Sequence, residues 1–491
     1  MKSTFKILAI TIVILLFGNA DLLAKQFPDS IVSLKIIIRK SIEKSIHIKI
    51  QEKNSQRAKI ERNKAYDAYL PKITAEASYT LLNSDIRLPS DMENLLTSTQ
   101  MLLIKEGTAM KMAGMPIPDA AKVNFTTSYS DPNNPASLQL AKAIQDNLRE
   151  IPPLQERNIL KANLSAQILL FSGLKVPYSI KAANHQIASL DLLTLKEIAI
   201  VIKEVIKTYD QLAVIEKTNE VLNNTENMLK EQNRFVENAF KNGLATDLEK
   251  QKILLATYQL ESKKIELESS KKLVLSKLEQ LSGCGQDTLL FIKPKLSDWY
   301  ISDFSETIMN RNDIKALDEA IIATDYKRKS EYTEYLPKVV AFGKKELYTG
   351  DLSTFDPQWY VGVGVKWTIF DGQTARRNAQ LAKVDKEILE DKRNDALELL
   401  SLSLKKIKFD YEKNIKLEQV ATQLLKTAEV SFSLTKKQYE AGLTTMTEYL
   451  TSVNALENAQ LELIKTKYFV RQSVVEFLDA NGKLNEEIIV E

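Results

Sequence analysis

The chain repeats itself. The segment Phe235 to Lys264, FVENAFKNGLATDLEKQKILLATYQLESKK, returns in altered form within Phe432 to Tyr468, FSLTKKQYEAGLTTMTEYLTSVNALENAQLELIKTKY, and Gly243 recurs 199 residues later as Gly442. The same interval relates Phe171-Ser172-Gly173 to Phe370-Asp371-Gly372, so the two glycines of each half stand 70 residues apart in both copies. An internal duplication of this kind restricts the fold more than any composition figure does.

In each copy the second glycine lies between two stretches that read as unbroken helix. Gly243 and Gly442 can take the left-handed backbone that ends one helix, and Thr246 and Thr445 can cap the next. Each copy is therefore a helical hairpin. A helix from Gly173 to Gly243 would run about 105 Å at 1.5 Å per residue, too long to fold into a globule, so such rods must lie side by side. The returning helices carry a seven-residue apolar stripe, Ile253, Leu260, Leu267, Val274 and Leu281 in one half and Leu456, Leu463, Val470 and Phe477 in the other. That is the pattern of a left-handed coiled coil.

A length of 491 residues usually means two or three globular domains, but here it reads as one elongated body of two repeats. The expected division is a signal peptide over 1–20, a first repeat over 21–285 and a second over 286–491. The signal peptide rests on Lys2 and Lys6, the apolar run Ile7 to Phe17, and small residues ahead of a cut after Ala20 or Ala24. The run is too short to span a bilayer as a helix. Lys and Arg total 67 against 64 Asp and Glu, mixed along the helices, which gives no case for nucleic acid.

Catalytic signals are missing. Cys284 is the one cysteine, so no disulfide forms within the chain, and none sits at the cleavage site to take lipid. His47 and His185 are the only histidines, and there is no glycine-rich phosphate loop and no H-E-x-x-H. No catalytic residue, cofactor or metal ligand is assigned. Met92, Met101, Met110, Met112 and Met115 form a cluster of soft ligands without His or Cys, read as packing before metal.

Between the helices the period changes from helical to two. A polar helix from Ser30 to Tyr69 stops at Leu70-Pro71. Ile73, Ala75, Ala77, Tyr79 and Leu81 then alternate with polar residues. A second strand puts Leu160, Ala162, Leu164, Ala166, Ile168 and Leu170 on one face, and its repeat puts Trp359, Val361, Val363, Val365, Trp367 and Ile369 there. At about 3.3 Å per residue such strands approach 40 Å, enough to cross a bilayer core. Trp359 and Trp367 fall about 26 Å apart by the same rise, where the aromatic girdles of an outer-membrane barrel lie. A strand over Val339 to Leu347 alternates poorly and is expected because Tyr335-Leu336-Pro337 repeats Tyr69-Leu70-Pro71. Pro71 to Gly173 spans 102 positions and Pro337 to Gly372 spans 35, so the first half holds 67 extra residues, an insertion at about 83–157 with helices expected near 91–112 and 136–149. Residues 286–304 read as irregular linker before a helix from Ser305 to Glu334.

Four strands cannot seal a membrane barrel, whose smallest examples have about eight, so several subunits must pool theirs. Three would give twelve strands, with the helices continuing the barrel as a tube.

The duplicated order of helix, Y-L-P, two strands, F-[SD]-G, long helix, G-x-x-T turn and return helix resembles the TolC family of outer-membrane efflux and secretion channels, over nearly the whole mature chain. The resemblance implies a mainly α fold with a membrane β-barrel: four strands per protomer in a homotrimeric twelve-strand barrel, in outer-membrane lipid, continued by a long periplasmic α-helical barrel. It also implies a non-enzymatic exit duct working with a periplasmic adaptor and an inner-membrane transporter. The turns Gly243-Leu244-Ala245-Thr246 and Gly442-Leu443-Thr444-Thr445 would be adaptor-docking tips. Glu249 and Glu448 stand where family gates hold carboxylates, and Tyr439, with Phe240 as its counterpart, matches a gating tyrosine. Thr444 and Thr451 replace a gating arginine and a second aspartate, so the closing network differs, and Asp247 could supply part of it. An exported coiled-coil scaffold and a heavy-metal duct are the alternative readings.

Overall fold

A computed structural model of the chain describes residues 33–485 apart from 88, 124–130, 132, 150–152, 291, 302, 303, 305–307 and 351–356. The signal peptide expected over 1–20, with both possible cuts, lies outside the described residues. In order, the elements are α1 (Leu34–Lys44), α2 (Ile46–Tyr66), β1 (Lys72–Leu81), α3 (Ser90–Ala113), α4 (Pro135–Arg149), β2 (Asn158–Phe171), α5 (Lys175–Lys241), α6 (Asp247–Ser282), the single turn α7 (Gln286–Leu289), α8 (Asn312–Tyr332), β3 (Lys338–Thr349), β4 (Trp359–Lys366), α9 (Thr374–Glu440) and α10 (Met446–Ala480).

The chain forms two compact units that cut across the duplication. One gathers residues 1–63, 178–329 and 376–491, and the other 64–177 and 330–375. Each repeat thus contributes to both.

The helical unit holds the two long hairpins. α5 and α9 are each 67 residues long and begin and end 199 positions apart, so the repeat is kept to the residue. At 1.5 Å per residue each is about 100 Å long. The main core joins α1 to α5, α6 and α10 through Leu34, Ile37, Ile38, Ile202, Ile206, Leu278 and Val475. Cys284 is buried in that same core.

The helix expected from Ser30 to Tyr69 is broken. At Ser45 the backbone turns extended (ψ 121) while its N–H still bonds the Ser41 carbonyl. Its hydroxyl then accepts the Ile48 N–H at 3.4 Å, so one residue closes α1 and opens α2. The helix expected from Ser305 likewise begins later, at Asn312, after a turn of 3-10 helix over Ile308–Asn310. Residues 305–307 are outside the described set.

The other unit is a four-stranded antiparallel sheet in the order β1-β2-β3-β4, with the helical insertion α3–α4. The register places Ile73 opposite Ala166, Ala75 opposite Leu164 and Tyr79 opposite Leu160. Across β3, Ala341 meets both Ile168 and Val363. One face is consequently apolar across all four strands apart from Lys345, which lies between Leu164 and Trp359, and Asn158, opposite Leu81 at the strand end. The other carries Thr74, Glu76, Ser78, Asn163, Ser165, Gln167 and Lys344. β3 exists as the duplication requires, and it alternates weakly because Val340 and Phe342 fall on the polar-rich face and Lys345 on the apolar one. Asn163 pairs with Glu346 and Ala162 with Tyr348, so Leu347 is an extra residue that shifts the parity of the strand.

β4 is shorter than expected, ending at Lys366 rather than Ile369. Its last pair is Lys338 with Lys366, and the next residue of β3's chain is Pro337, which has no N–H to extend the ladder. Trp367 therefore lies just past the strand, with its indole N–H donating to the Tyr335 carbonyl at 3.0 Å.

The two sequence motifs of each repeat meet in this unit. Tyr69 of Y-L-P shares a 2.9 Å hydrogen bond with Ser172 of F-S-G, and Tyr335 donates to Asp371 at 3.0 Å in the second copy. Ser172 and Asp371 then cap α5 and α9 by accepting the N–H of Val176 and Ala375. Gly173 has φ +63 and no room for a side chain, since a Cβ would come within 3.0–3.2 Å of Leu336 and the Pro337 carbonyl.

Candidate functional site

The tips of the two hairpins belong to the helical unit and are built alike. α5 and α9 end in the same Schellman geometry: Leu244 N–H bonds the Ala239 carbonyl and Gly243 N–H the Phe240 carbonyl, while Leu443 and Gly442 bond Gln438 and Tyr439. Gly243 (φ +71) and Gly442 (φ +74) supply the left-handed residue. One residue further, Leu244 is 82% and Leu443 78% exposed, so each tip ends in an uncovered leucine. Ala245 turns inward onto Val236, Ile253, Met446, Tyr449 and Val453.

Thr246 and Thr445 are the N-caps expected, and each completes a capping box with the carboxylate three residues on. Glu249 accepts the Thr246 N–H at 2.9 Å, and Glu448 accepts the Thr445 N–H at 3.1 Å. The T-x-x-E spacing that signals this role is plain in both copies. The carboxylates singled out as gate candidates are therefore also structural caps.

The two tips are tied to each other. Tyr439 Oη donates to Glu249 Oε1 at 3.3 Å, and Lys252 Nζ donates to Thr447 Oγ1 at 2.7 Å. Burial and the Glu249 charge push the Tyr439 phenol up to about 12, so it is a hydrogen-bond donor throughout the physiological range. Its ring lies 5.6 Å from Tyr449 and 6.1 Å from Phe235. Deeper along the hairpins, Lys263 reaches the buried Glu457 at 2.5 Å. Phe240, the counterpart of Tyr439, makes no such link and instead lies under Lys250 Nζ, 4.2 Å from the ring centroid.

The remaining candidates separate. Thr444 donates its hydroxyl to Glu448, and this bond and the Thr445 amide hold the Glu448 carboxyl below its usual range. Asp247 is exposed and pairs with Lys250 at 3.5 Å. Thr451 returns its hydroxyl to the Thr447 carbonyl at 2.8 Å on an exposed helix face.

Three features escaped the sequence reading. Tyr449 is fully enclosed at the tip between Phe432 and Tyr439. The Lys252 and Lys263 links join helices nearly 200 residues apart, and no local pattern marks them. Elsewhere in the helical unit, Arg471 Nε bonds both Asp210 carboxylate oxygens at 2.8 Å with both residues buried, and stacks on Trp299 at 3.8 Å. In the sheet unit, Trp359 and Trp367 are exposed at either end of β4.

Residues 304–483 match the family model described as outer membrane efflux protein. Among solved structures, the chain is similar to the outer membrane protein VceC from Vibrio cholerae at 14% identity and a TM-score of 0.67, with 91% of this chain and 96% of that chain covered. It is similar to the CmeC outer membrane channel of Campylobacter jejuni at 18% identity and a TM-score of 0.62, with 92% and 86% covered. It is also similar to the open state of the MtrE outer membrane channel of Neisseria gonorrhoeae at 13% identity and a TM-score of 0.65, with 92% and 90% covered. No curated protein sequence matches the chain. At these identities the structural likeness is one of fold, and it extends over nearly the whole length of both partners.

Proposed function

Since this chain carries an outer membrane efflux protein domain over residues 304–483 and has the TolC-like fold, we propose that it is the outer-membrane exit duct of a tripartite efflux or type I secretion system. It conducts cargo passively from a periplasmic adaptor and inner-membrane transporter to the outside, and does no chemistry.

The observation that carries this reading is the sheet. It has one face that is apolar apart from Lys345 and Asn158, and it ends at β1 and β4, with no further strand beside either among the described residues. Tyr79, Leu81, Trp359, Val361, Val363 and Val365 are all exposed on that face. In water this would be an aggregation surface, whereas in lipid it is the outward wall of a barrel. Lipid does not tolerate unpaired strand edges, so β1 of one copy must pair with β4 of the next until the ring closes. Three copies make twelve strands. The long helices support the same assembly, because α9 leaves Leu402, Phe409, Leu417 and Leu424 uncovered and α6 leaves Leu254, Tyr258, Ile265 and Leu273. Stripes of this length are built to meet a neighbouring helix.

Within the trimer the tips serve as gate and dock. Six exposed leucines, Leu244 and Leu443 from each copy, offer apolar knobs to the adaptor. Glu249 and Glu448 ring the closed end with carboxylates, and the Tyr439–Glu249 bond holds the second hairpin against the first. The test is conductance of the purified protein in planar bilayers. Discrete, cation-blocked current steps are expected, and protein that incorporates into the bilayer without conducting, in the wild type and in Tyr439→Phe alike, overturns the reading.

A further inference from the structure

The insertion has no counterpart in the second repeat, and its described helices α3 and α4 pack against each other. Thr97 is buried on the first, Ser137 and Ile144 on the second. The opposite side of α3 is bare. At 100° per residue, Met92, Leu95, Leu102, Leu103 and Met110 fall within one arc of about 120°, with Thr99 and Glu106 among them. Those five side chains are all exposed, Leu103 at 65% and Met110 at 82%. Over the 24 residues of α3 this face runs about 36 Å.

Three observations select what covers it. Joining two strands does not require the insertion, since β3 and β4 are linked by residues 350–358 alone. Attraction to an anionic lipid surface is a poor match, because interfacial helices carry a lysine- and arginine-rich polar face and α3 has Lys105 and Lys111 against Asp91, Glu93 and Glu106. The position of α3 points to another protein copy. It starts shortly after β1, the sheet edge, and the intervening chain is laced to β2's approach: Leu82 N–H bonds the Arg157 carbonyl at 2.8 Å, and Ile86 and Gln155 exchange backbone bonds at 2.9 and 3.1 Å. α3 thus follows from the β1 side of this pairing, and β1 is the edge strand that meets β4 of the adjacent subunit in the channel reading.

We propose that the apolar face of α3 is an interface between copies of this chain, in which the insertions of adjacent subunits pack together at the β1–β2 end of the barrel. The proposal rests on the oligomeric-channel reading above and adds an element that the second repeat does not supply.

The test uses the full chain with Cys284→Ser and a single nitroxide at Leu103→Cys or Met110→Cys, reconstituted in lipid vesicles. Collision of the label with oxygen, which concentrates in lipid, and with a water-soluble nickel chelate is then measured by electron paramagnetic resonance. Both rates should be several-fold lower at these positions than at reference labels, oxygen against Val361→Cys on the apolar sheet face and nickel against Arg57→Cys on an exposed face of α2. High nickel collision at Leu103 and Met110 shows an uncovered face and overturns the proposal, and high oxygen collision there assigns the face to lipid and does the same. The Val361 label separates the two levels. If it is oxygen-rich while Leu103 is wet, the barrel stands and this interface falls; if it is itself nickel-accessible, the barrel reading falls with it.

Discussion

At the scale of single residues, the caps that Glu249 and Glu448 form and the gate proposed for them can be pulled apart by substitution. A glutamine in a capping box still reaches back to the N-cap amide, so Glu249→Gln with Glu448→Gln keeps the helix starts while removing the charge. Thermal melting should stay unchanged and block by divalent cations should weaken several-fold; unaltered block removes these carboxylates from the gate. The pH dependence has a definite sign. The Thr444 hydroxyl and Thr445 amide lower the Glu448 carboxyl, so its charge and its contribution to the cap are kept as pH falls past the usual carboxylate range and lost only below it. Cation block should therefore persist from pH 7 to about pH 5, and block that vanishes by pH 6 contradicts this. Tyr439→Phe deletes one hydrogen bond between the hairpins, a loss of about 0.5–1.5 kcal/mol. More frequent opening in single-channel records is the expected outcome, and wild-type open probability would take the bond out of the gate. What the sequence could say here was limited to position: T-x-x-E announces a cap, but nothing local announces that Tyr439 reaches Glu249 across 190 residues.

At the scale of elements, the docking proposed for the hairpin tips can be tested apart from the stability that the buried ion pair supplies. Leu244→Ser with Leu443→Ser changes two exposed side chains and leaves the Schellman turns intact. Adaptor co-purification should drop while the oligomer remains, and undiminished capture would place docking elsewhere. Asp210→Ala strands Arg471 in the helical core. Removing one partner of a buried pair costs about 3–5 kcal/mol, so a large fall in melting temperature is expected, with Asp210→Asn milder because it keeps hydrogen-bonding atoms. Burial outweighs Arg471 and raises the Asp210 carboxyl from 3.8 to about 6. A group raised on folding binds its proton more readily in the folded state, so stability contributed at this site declines as pH climbs from about 4 to about 6. Scanning calorimetry across that window should show the slope in the wild type and not in Asp210→Asn. Elements were legible where a period ran long. The 67-residue helices and the alternating face of β2 could be read directly, and β3 only through its twin motif. Ser45 and Pro337 decided two boundaries that periodicity missed, one by a side chain capping the next helix and one by a missing N–H. Asp210 and Arg471 are indistinguishable in sequence from the solvated charges around them.

At the scale of the whole molecule, duplication is what made the architecture readable. Two halves with matching turns 199 residues apart imply repeated hairpins and paired strands. The aliphatic alternation implies a lipid-facing wall, and four strands imply that the wall is shared. The contents of the insertion were readable as two helices, but their bare face was not, because a helix of mixed residues shows which side it leaves uncovered only once its neighbours are in place. The measurement that reaches the central claim most directly is the native mass of the protein extracted from outer membranes in mild detergent. Three copies of the chain in one detergent-bound particle are predicted; a monomer that stays in solution without detergent would contradict the account.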